Sequence, residues 1–314
     1  MKIFFLGTPE FAVPSLKALA ASPEHSVCAV ITNPDQPSGR QLKLKPSPVK
    51  SAALELGLPV YQPEKFNTEE TLEILKSSGA DLLAVVAYGK IIGDKILAEF
   101  KDRIVNVHPS LLPAYRGVAP YQWALLNGET VTGVSIIYLV KKLDAGDIIL
   151  QEKYDILPSD NAKTLHDKLS VMGAGLLCRA AGMIAGGTVQ RAPQDDNSAT
   201  YFKKIDKAMG KIDWNRPPKA ISDLVRGLYS WPSAYAFFNS EMLKIHEAEP
   251  ASEFSGHDLT PGTVITADEK KGFIIACGEK GALRVKTLQL ASRNIQNFDS
   301  FLRGNKINAG IILN

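Results

Sequence analysis

Cysteine is scarce in this sequence, with three residues in a chain of 314. Cys28, Cys178 and Cys277 are an odd number at unrelated spacings, which fits neither a disulfide framework nor a zinc site. We expect these cysteines to be buried small hydrophobic residues instead. A long apolar run is also missing near Met1, since residues 3–6 form a run of only four. A secretory core or a membrane span needs a longer run, so we expect a cytoplasmic protein.

An excess of one charge is missing too, because 36 Lys and Arg face 33 Asp and Glu. Hydrophobic residues make up 45% and charged residues 22%, which excludes collagen, coiled coil and wholesale disorder. Residues 1–206 carry 22 charges of each sign, whereas residues 207–314 carry 14 basic and 11 acidic side chains, so the net charge of +3 belongs to the last third. This favours a polyanionic partner for that part, although an ordinary solvated surface explains it equally well.

The motifs of several enzyme classes are absent. Gly7-Thr8-Pro9-Glu10 follows an apolar run and opens a helical pattern, but it lacks the glycine spacing of a dinucleotide fingerprint. The sequence has no Gly-Lys-Ser/Thr phosphate loop and no Gly-x-Ser-x-Gly nucleophile elbow. Its five histidines show no metal-ligand spacing. These absences disfavour an NAD enzyme, and we expect no metal.

Short apolar, β-branched runs alternate with longer amphipathic stretches in the first half of the chain, which is typical of βαβ units over a parallel sheet. The predicted strands are 3–6, 27–31, 82–87, 104–107 and 134–140. The predicted helices are 10–21, 47–56, 93–100, 119–127 and 161–185. We therefore predict an α/β domain with a Rossmann-like, doubly wound, mostly parallel sheet.

The last third has a different pattern, in which a helix is followed by short apolar runs between turns. The helix is predicted at 217–228, and the strands at 234–238, 262–266, 273–277 and 282–290. Short strands joined by turns favour a small OB-like β-barrel. Residues 190–200 are polar, as an interdomain linker is. We predict a catalytic domain at 1–189, a linker at 190–206 and a C-terminal β-barrel domain at 207–314, in a monomer.

Polar side chains follow two of the predicted strands. Alternation along strand 104–107 sends Asn106 and His108 to one face at its carboxyl end, where open α/β sheets bind ligands. Asp144 comes shortly after strand 134–140, at the same edge of the sheet. Each residue alone also has a structural explanation, as a satisfied donor or a turn residue. Together they predict a site with an amide, an imidazole and a carboxylate.

These residues belong to longer motifs that carry a family resemblance. Asn106-x-His108-Pro109-Ser110-Leu111-Leu112-Pro113, with Arg116-Gly117 and Leu143-Asp144-Ala145-Gly146-Asp147, resembles the signature of the folate-dependent formyltransferases. Phe5-Leu6-Gly7-Thr8-Pro9-Glu10-Phe11-Ala12 and Ile212-Asp213-Trp214 with Trp231-Pro232 are similar to the members of that family that act on methionyl initiator tRNA. The likeness covers nearly the whole chain.

The resemblance implies the formyltransferase fold and a reaction. A formyl group would pass from 10-formyltetrahydrofolate to the α-amino group of methionyl initiator tRNA, giving N-formylmethionyl-tRNA for translation initiation. Asn106, His108 and Asp144 would be catalytic. The amide and the imidazole would donate hydrogen bonds to the tetrahedral oxyanion, and the carboxylate would support charge on the imidazole during proton transfer.

The resemblance also implies binding residues. The pterin is expected along the main chain of two segments, at Leu83, Val86, Ala87, Tyr88, Ser110, Leu111, Leu112 and Pro113. The acid-free segment 36–50 is expected to contact the tRNA acceptor stem through Arg40, Lys43 and Lys45. Composition alone would favour a solvated flexible loop. Gln41-Leu42 also departs from the more basic, glycine-containing stretch that the family often has there.

Two alternatives stay open on the sequence. One is an N-formyltransferase acting on an amino sugar or on glycinamide ribonucleotide, which would share the catalytic residues. The basic, barrel-like last third speaks against it because it suits a large acceptor. The other is a non-enzymatic RNA-binding protein on an inactive α/β domain, and the joint presence of Asn106, His108 and Asp144 speaks against that.

Overall fold

The computed structural model describes residues 1–38, 43–291 and 293–314, and the chain divides into two compact units. The first unit comprises Met1–Pro120, Val131–Asp155 and His166–Phe202, and the second comprises Tyr121–Thr130, Ile156–Leu165 and Lys203–Asn314. The domain bounds of 1–189, 190–206 and 207–314 stay a prediction. The units differ from them because two segments within the first 189 residues pack with the C-terminal part, and the polar stretch groups with the first unit as far as Phe202.

The described residues form eleven strands before residue 203. They are β1 (Lys2–Gly7), β2 (Ser26–Ile31), β3 (Gln36–Ser38), β4 (Lys43–Lys45), β5 (Val60–Tyr61), β6 (Leu82–Val86), β7 (Ile104–His108), β8 (Arg116–Gly117), β9 (Val131–Tyr138), β10 (Ile148–Asp155) and β11 (Tyr201–Phe202). The helices of this part of the chain are α1 (Val13–Ala21), α2 (Pro48–Glu55), α3 (Glu69–Ser77), α4 (Asp94–Glu99), α5 (Pro120–Leu126) and α6 (Ala162–Ala185).

Seven strands form one sheet in the order β10-β9-β7-β6-β1-β2-β5. The five strands from β7 to β5 in this order are parallel, and β9 and β10 join antiparallel. The chain runs outward from β1 to β2 and β5, then returns to the other side of β1 with β6 and β7. The order therefore reverses between β1 and β6, and such a reversal opens a ligand crevice at the carboxyl ends of the strands. The predicted doubly wound, mostly parallel sheet is confirmed.

The central strands were predictable because they are apolar throughout. Every residue of β6 is buried, as is every residue of β1 except Lys2, which a sheet covered on both faces requires. The sequence analysis missed α3 and β10. Helix α3 is short and strongly polar, and it begins where the Thr68 hydroxyl accepts a hydrogen bond from Thr71 N. Strand β10 is an edge strand, and its polar residues 151–153 are exposed.

The second unit contains an antiparallel sheet in the order β12-β13-β16-β15-β14, with β17 paired to β16. These strands are β12 (Ala234–Phe238), β13 (Glu241–Pro250), β14 (Val264–Asp268), β15 (Gly272–Ala276), β16 (Ala282–Leu290) and β17 (Gln296–Asn297), and the helices are α7 (Pro218–Gly227) and α8 (Phe298–Gly304). Strand β13 was not predicted, because charged residues interrupt its apolar alternation.

The last five residues close this sheet. On one edge, Phe237 N donates to Asn314 O at 2.7 Å, and Asn314 N donates to Phe237 O at 3.2 Å. On the other edge, Leu313 N donates to Gly262 O at 2.9 Å. Because one segment bonds both β12 and the chain entering β14, the strands complete a small antiparallel barrel. The predicted C-terminal β-domain is confirmed, with a closing segment that the sequence analysis did not identify.

Among the described residues, α6 is the one helix long and apolar enough to cross a membrane by length and composition. This is weak evidence for a span, because core helices of soluble proteins meet the same criteria. In α6, 44% of the most apolar window is buried.

Candidate active site

The candidate site begins at the carboxyl end of β7. His108 is the last residue of this strand and is buried, while Asn106, two residues earlier, is half-buried on the same face. Asp144 follows the neighbouring strand β9, and its Oδ2 lies 3.7 Å from His108 Nδ1. The structure thus brings the predicted imidazole and carboxylate together, with the amide of Asn106 on the face that carries the imidazole.

The hydrogen bonds of His108 fix the roles of its two ring nitrogens. Nε2 lies 2.9 Å from the carbonyl oxygen of Tyr115. A carbonyl only accepts hydrogen bonds, so Nε2 carries a proton. The other nitrogen, Nδ1, faces the Asp144 carboxylate. The carboxylate stabilises the positive charge that the ring acquires when Nδ1 is protonated.

The position of Asp144 depends on its backbone. Its φ of 49° lies in the left-handed region, which a non-glycine residue adopts only when its surroundings impose it. Gly117 N donates a hydrogen bond to Asp144 Oδ2 at 2.9 Å. Two residues on, a Cβ at Gly146 would lie 1.8 Å from Tyr138 O, so only glycine fits there. The turn is thus held against β9.

A buried arginine lies behind this turn. The Arg116 side chain is fully buried, and its guanidinium donates to Gln194 Oε1, Asp196 Oδ1 and the Tyr201 hydroxyl. Burial opposes the charge of Arg116, but the hydrogen bonds to Asp196 and Tyr201 outweigh it and raise its pKa. Hydrogen bonds from Lys142 and Arg116 hold the pKa of Asp196 below its ordinary value.

Gln194 and Asp196 were missed by the sequence analysis, which assigned them to a linker. They lie about 80 residues from Arg116, with separations of 78 and 80 residues. No local periodicity predicts such a contact. The polar composition of residues 190–200 was the available signal, and the sequence analysis interpreted it as an interdomain linker.

The loop after β7 is held by hydrogen bonds from two neighbouring strands. The Ser135 hydroxyl donates to Ser110 O at 2.6 Å and accepts from Leu112 N at 3.1 Å. The Gln151 amide donates to Leu112 O at 2.9 Å. Ser110 and Leu112 are buried, while Leu111 and Pro113 are half-buried. The Leu112–Pro113 peptide bond is cis. The folate contacts expected at these four residues stay a prediction.

The other expected folate segment is the end of β6. The side chains of Leu83 and Val86 are buried in the core, whereas Ala87 is exposed and has a φ of 47°. Tyr88 is buried, and its carbonyl accepts hydrogen bonds from Thr8 Oγ1 at 3.0 Å and Asn33 Nδ2 at 3.1 Å. A ligand here would meet the main chain at Ala87 rather than the buried side chains. The role of these residues stays a prediction.

The basic segment 36–50 contains the paired strands β3 and β4 and the start of α2. Arg40 lies outside the described residues, and the backbone of Lys43 belongs to β4. Lys45 is exposed. Lys50 instead pairs with Asp35 at 2.7 Å, and hydrogen bonds from Lys50 and Gln62 lower the pKa of Asp35. The expected tRNA contacts of Arg40, Lys43 and Lys45 stay a prediction.

In the part of the chain that the structure describes, the site has no cluster of metal ligands and no reactive thiol. Within the described ranges, no group of three or more His, Cys, Asp or Glu residues is placed to hold a metal ion. The three cysteines are free; Cys28 and Cys178 are half-buried and Cys277 is buried. Burial raises the pKa of the first two thiols, and it raises the pKa of Cys277 to about 12. All three are therefore protonated at neutral pH.

A doubly wound sheet with an amide, an imidazole and a carboxylate at its carboxyl edge is the arrangement of an α/β enzyme with its site at the strand ends. Residues 1–181 match the family described as Formyl transferase, and residues 204–306 match its C-terminal domain. The first match covers more than half of the chain. The chain therefore belongs to the formyl transferase family.

Known proteins resemble the chain over nearly all its length. The methionyl-tRNA formyltransferase of Sulfurihydrogenibium sp. (strain YO3AOP1) is 44% identical over 311 residues, covering 99% of each chain. That of Staphylococcus aureus (strain MW2) is 43% identical over 303 residues, covering 96% of each. The solved N-formyltransferase of Helicobacter canadensis, in complex with folinic acid and dTDP-3-aminofucose, has a TM-score of 0.68 at 21% identity, covering 91% of this chain and 98% of that one. This last likeness shows the fold alone.

Proposed function

We propose that this chain transfers the formyl group of 10-formyltetrahydrofolate to the α-amino group of methionyl initiator tRNA. The match at 44% identity over 99% of the chain to a methionyl-tRNA formyltransferase carries the proposal. The match includes the C-terminal unit, whose residues 204–306 also match the C-terminal domain of the family. The products are N-formylmethionyl-tRNA and tetrahydrofolate.

The reaction needs one bond made, one broken and one net proton transfer. The amine nitrogen attacks the formyl carbon, and a tetrahedral oxyanion forms. The bond from that carbon to N10 of the folate then breaks, N10 gains a proton and the former amine loses one. Donors aimed at the oxyanion lower this barrier, as does a group that exchanges protons at neutral pH.

The candidate site offers side chains for each of these tasks. The Asn106 amide is a donor for the oxyanion. The Nδ1 of His108 takes up and returns a proton, while Tyr115 O holds the other ring nitrogen. Asp144, 3.7 Å from Nδ1, stabilises the imidazolium during the exchange. The cosubstrate would be held beside them by Ala87 and by the loop Ser110 to Pro113.

Binding of tRNA would use cations of the C-terminal unit that have no acidic partner. Three basic residues of this unit are already paired: Arg284 with Glu253, Lys286 with Glu249 and Arg303 with Asp299. For six others, the structure gives no ion-pair partner among the residues it describes. These are Lys207, Lys211, Lys270, Lys271, Arg293 and Lys306. Unpaired cations remain available for phosphates, so we assign the tRNA contacts to this second set.

A formylation assay with three acceptors tests the proposal. Purified protein and 10-formyltetrahydrofolate would be offered methionyl initiator tRNA, glycinamide ribonucleotide or an amino-sugar nucleotide, and tetrahydrofolate release and acceptor formylation would be measured. We expect turnover with the tRNA alone. Turnover with a small acceptor alone would move the chain to another branch of the family. Tight tRNA binding without turnover on any acceptor would favour the non-enzymatic alternative. The cytoplasmic location and monomeric state remain predictions.

A further inference from the structure

Gln194 uses its whole side chain to join two parts of the candidate site. Its Nε2 donates to the carbonyl oxygens of Asp144 at 2.8 Å and Gly146 at 2.7 Å. Its Oε1 accepts from Arg116 Nε at 3.1 Å and Nη2 at 2.8 Å. A primary amide has two donor hydrogens and an oxygen with two lone pairs, so the hydrogen-bonding capacity of Gln194 is filled.

The Arg116 end of this link is fixed. A buried guanidinium must be paired, because an unpartnered charge in the interior is strongly unfavourable. The Arg116 side chain is fully buried, and Asp196 and Tyr201 hold its Nη1 at 2.8 Å and 2.7 Å. The next residue, Gly117, holds the Asp144 carboxylate through its backbone N–H. The Arg116-Gly117 segment is therefore linked to Asp144 in two ways. Gly117 N bonds directly to the Asp144 carboxylate, and Gln194 connects the Arg116 guanidinium to the Asp144 backbone carbonyl.

The Asp144 end needs such support. Its φ of 49° is strained for an aspartate and persists only when several contacts impose it. Two of the contacts that fix the turn are the bonds from Gln194 to the carbonyls of residues 144 and 146. Without them, the backbone can relax toward an unstrained conformation and carry the carboxylate away from His108.

We infer that Gln194 is a positioning residue for Asp144. Its hydrogen bonds tie the turn at residues 144–146 to the fixed side chain of Arg116, and this turn sets the distance between the Asp144 carboxylate and the His108 ring. This inference rests on the catalytic role of Asp144 given in the proposed function. Gln194 touches neither reacting group, and it acts only through the backbone of the turn.

Two substitutions test whether the hydrogen bonds of the Gln194 side chain or its volume hold the turn. Gln194→Glu keeps an acceptor for Arg116 but sets a carboxylate against two carbonyl oxygens in place of the two N–H donors. Gln194→Leu keeps much of the volume and removes all four hydrogen bonds. Asp195→Ala is the matched control, because the Asp195 carboxylate accepts hydrogen bonds from Asn197 N and Ser198 Oγ in its own turn.

We expect each Gln194 variant to lower kcat for formyl transfer by about 10- to 100-fold, because misplacing a catalytic group by about 1 Å can cost up to about 100-fold. The KM values for both substrates should change little, since the variant leaves the binding residues in place. Asp195→Ala should keep the parent kcat. A Gln194 variant with the parent kcat, or with its loss confined to KM, would overturn the inference.

A double-mutant cycle with Asp144→Asn distinguishes a positioning role from a general structural one, because only a positioning role makes the two losses of activity non-additive. If Gln194 acts through Asp144, Gln194→Glu should cost little further activity once the carboxylate is gone. If the two losses multiply, Gln194 acts independently and the inference is wrong. Should Gln194→Leu fail to fold, Gln194→Glu carries the test alone. Full activity of Asp144→Asn itself would instead refute the role of Asp144 in the proposed function.

Discussion

Removing the negative charge of Asp144 should directly lower kcat. At 3.7 Å, a carboxylate and an imidazolium attract by about 4 kcal/mol at an effective dielectric constant of about 20. The two side chains are 12% and 5% exposed, so solvent screens only part of this attraction. Asp144→Asn removes the charge but keeps an oxygen to accept from Gly117 N. Since about 1.4 kcal/mol corresponds to a tenfold rate change, we expect kcat to fall by about 10²- to 10³-fold.

The assay is formylation of methionyl initiator tRNA at saturating concentrations of both substrates, with thermal unfolding as a check that the variant is folded. Asp147→Asn is the matched control, because it removes the same charge from the same segment but not the pair with His108. It should keep a kcat close to that of the parent. If Asp144→Asn were folded and lost less than about tenfold in kcat, or if Asp147→Asn lost as much, the charge pair would not be what drives catalysis.

Three further predictions concern the barrel and the basic segment 36–50. All three tryptophans, Trp123, Trp214 and Trp231, lie in the second unit, so their fluorescence reports its unfolding. Leu313 is 1% exposed and Ile312 is 48% exposed, so Leu313→Ala should destabilise the barrel by about 2–4 kcal/mol and Ile312→Ala far less; equal losses would contradict closure by this segment. Burial lowers the pKa of His246, so the unfolded chain gains a proton near pH 6.5 before the folded one does. The free energy of unfolding should therefore fall as pH drops from about 6.5 through the folded pKa, and His246→Gln should flatten that fall; an unchanged pH dependence would refute it. Arg40→Leu should raise the KM for charged tRNA but not for the folate, and equal kinetics would remove Arg40 from the tRNA interface.

Part of the candidate site was predictable because strand geometry is local. The apolar run before His108 predicts β7, and a period of two places Asn106 on the face of His108. Because ligands bind at the carboxyl ends of parallel strands, Asp144 is expected beside these two residues. The 3.7 Å distance between Asp144 Oδ2 and His108 Nδ1 agrees with this expectation. The family resemblance added the expected chemistry, which the similarity to other formyl transferases supports.

Other features depend on contacts between distant segments, which no local pattern encodes. Gln194 lies between two short pairings, the bridge of Ala192 with Ile148 and the pairing of β11 with β8, and pairings this short leave almost no periodic signal. The barrel closes only because residues 310–314 reach two strand edges at once. The sequence by itself determined the central strands of the first sheet, most of its helices and the candidate site residues at its carboxyl edge, since these follow from burial and from side-chain alternation. Only the tertiary structure decided how Asp144 is held beside His108, because a strained turn is fixed by hydrogen bonds from residues far along the chain.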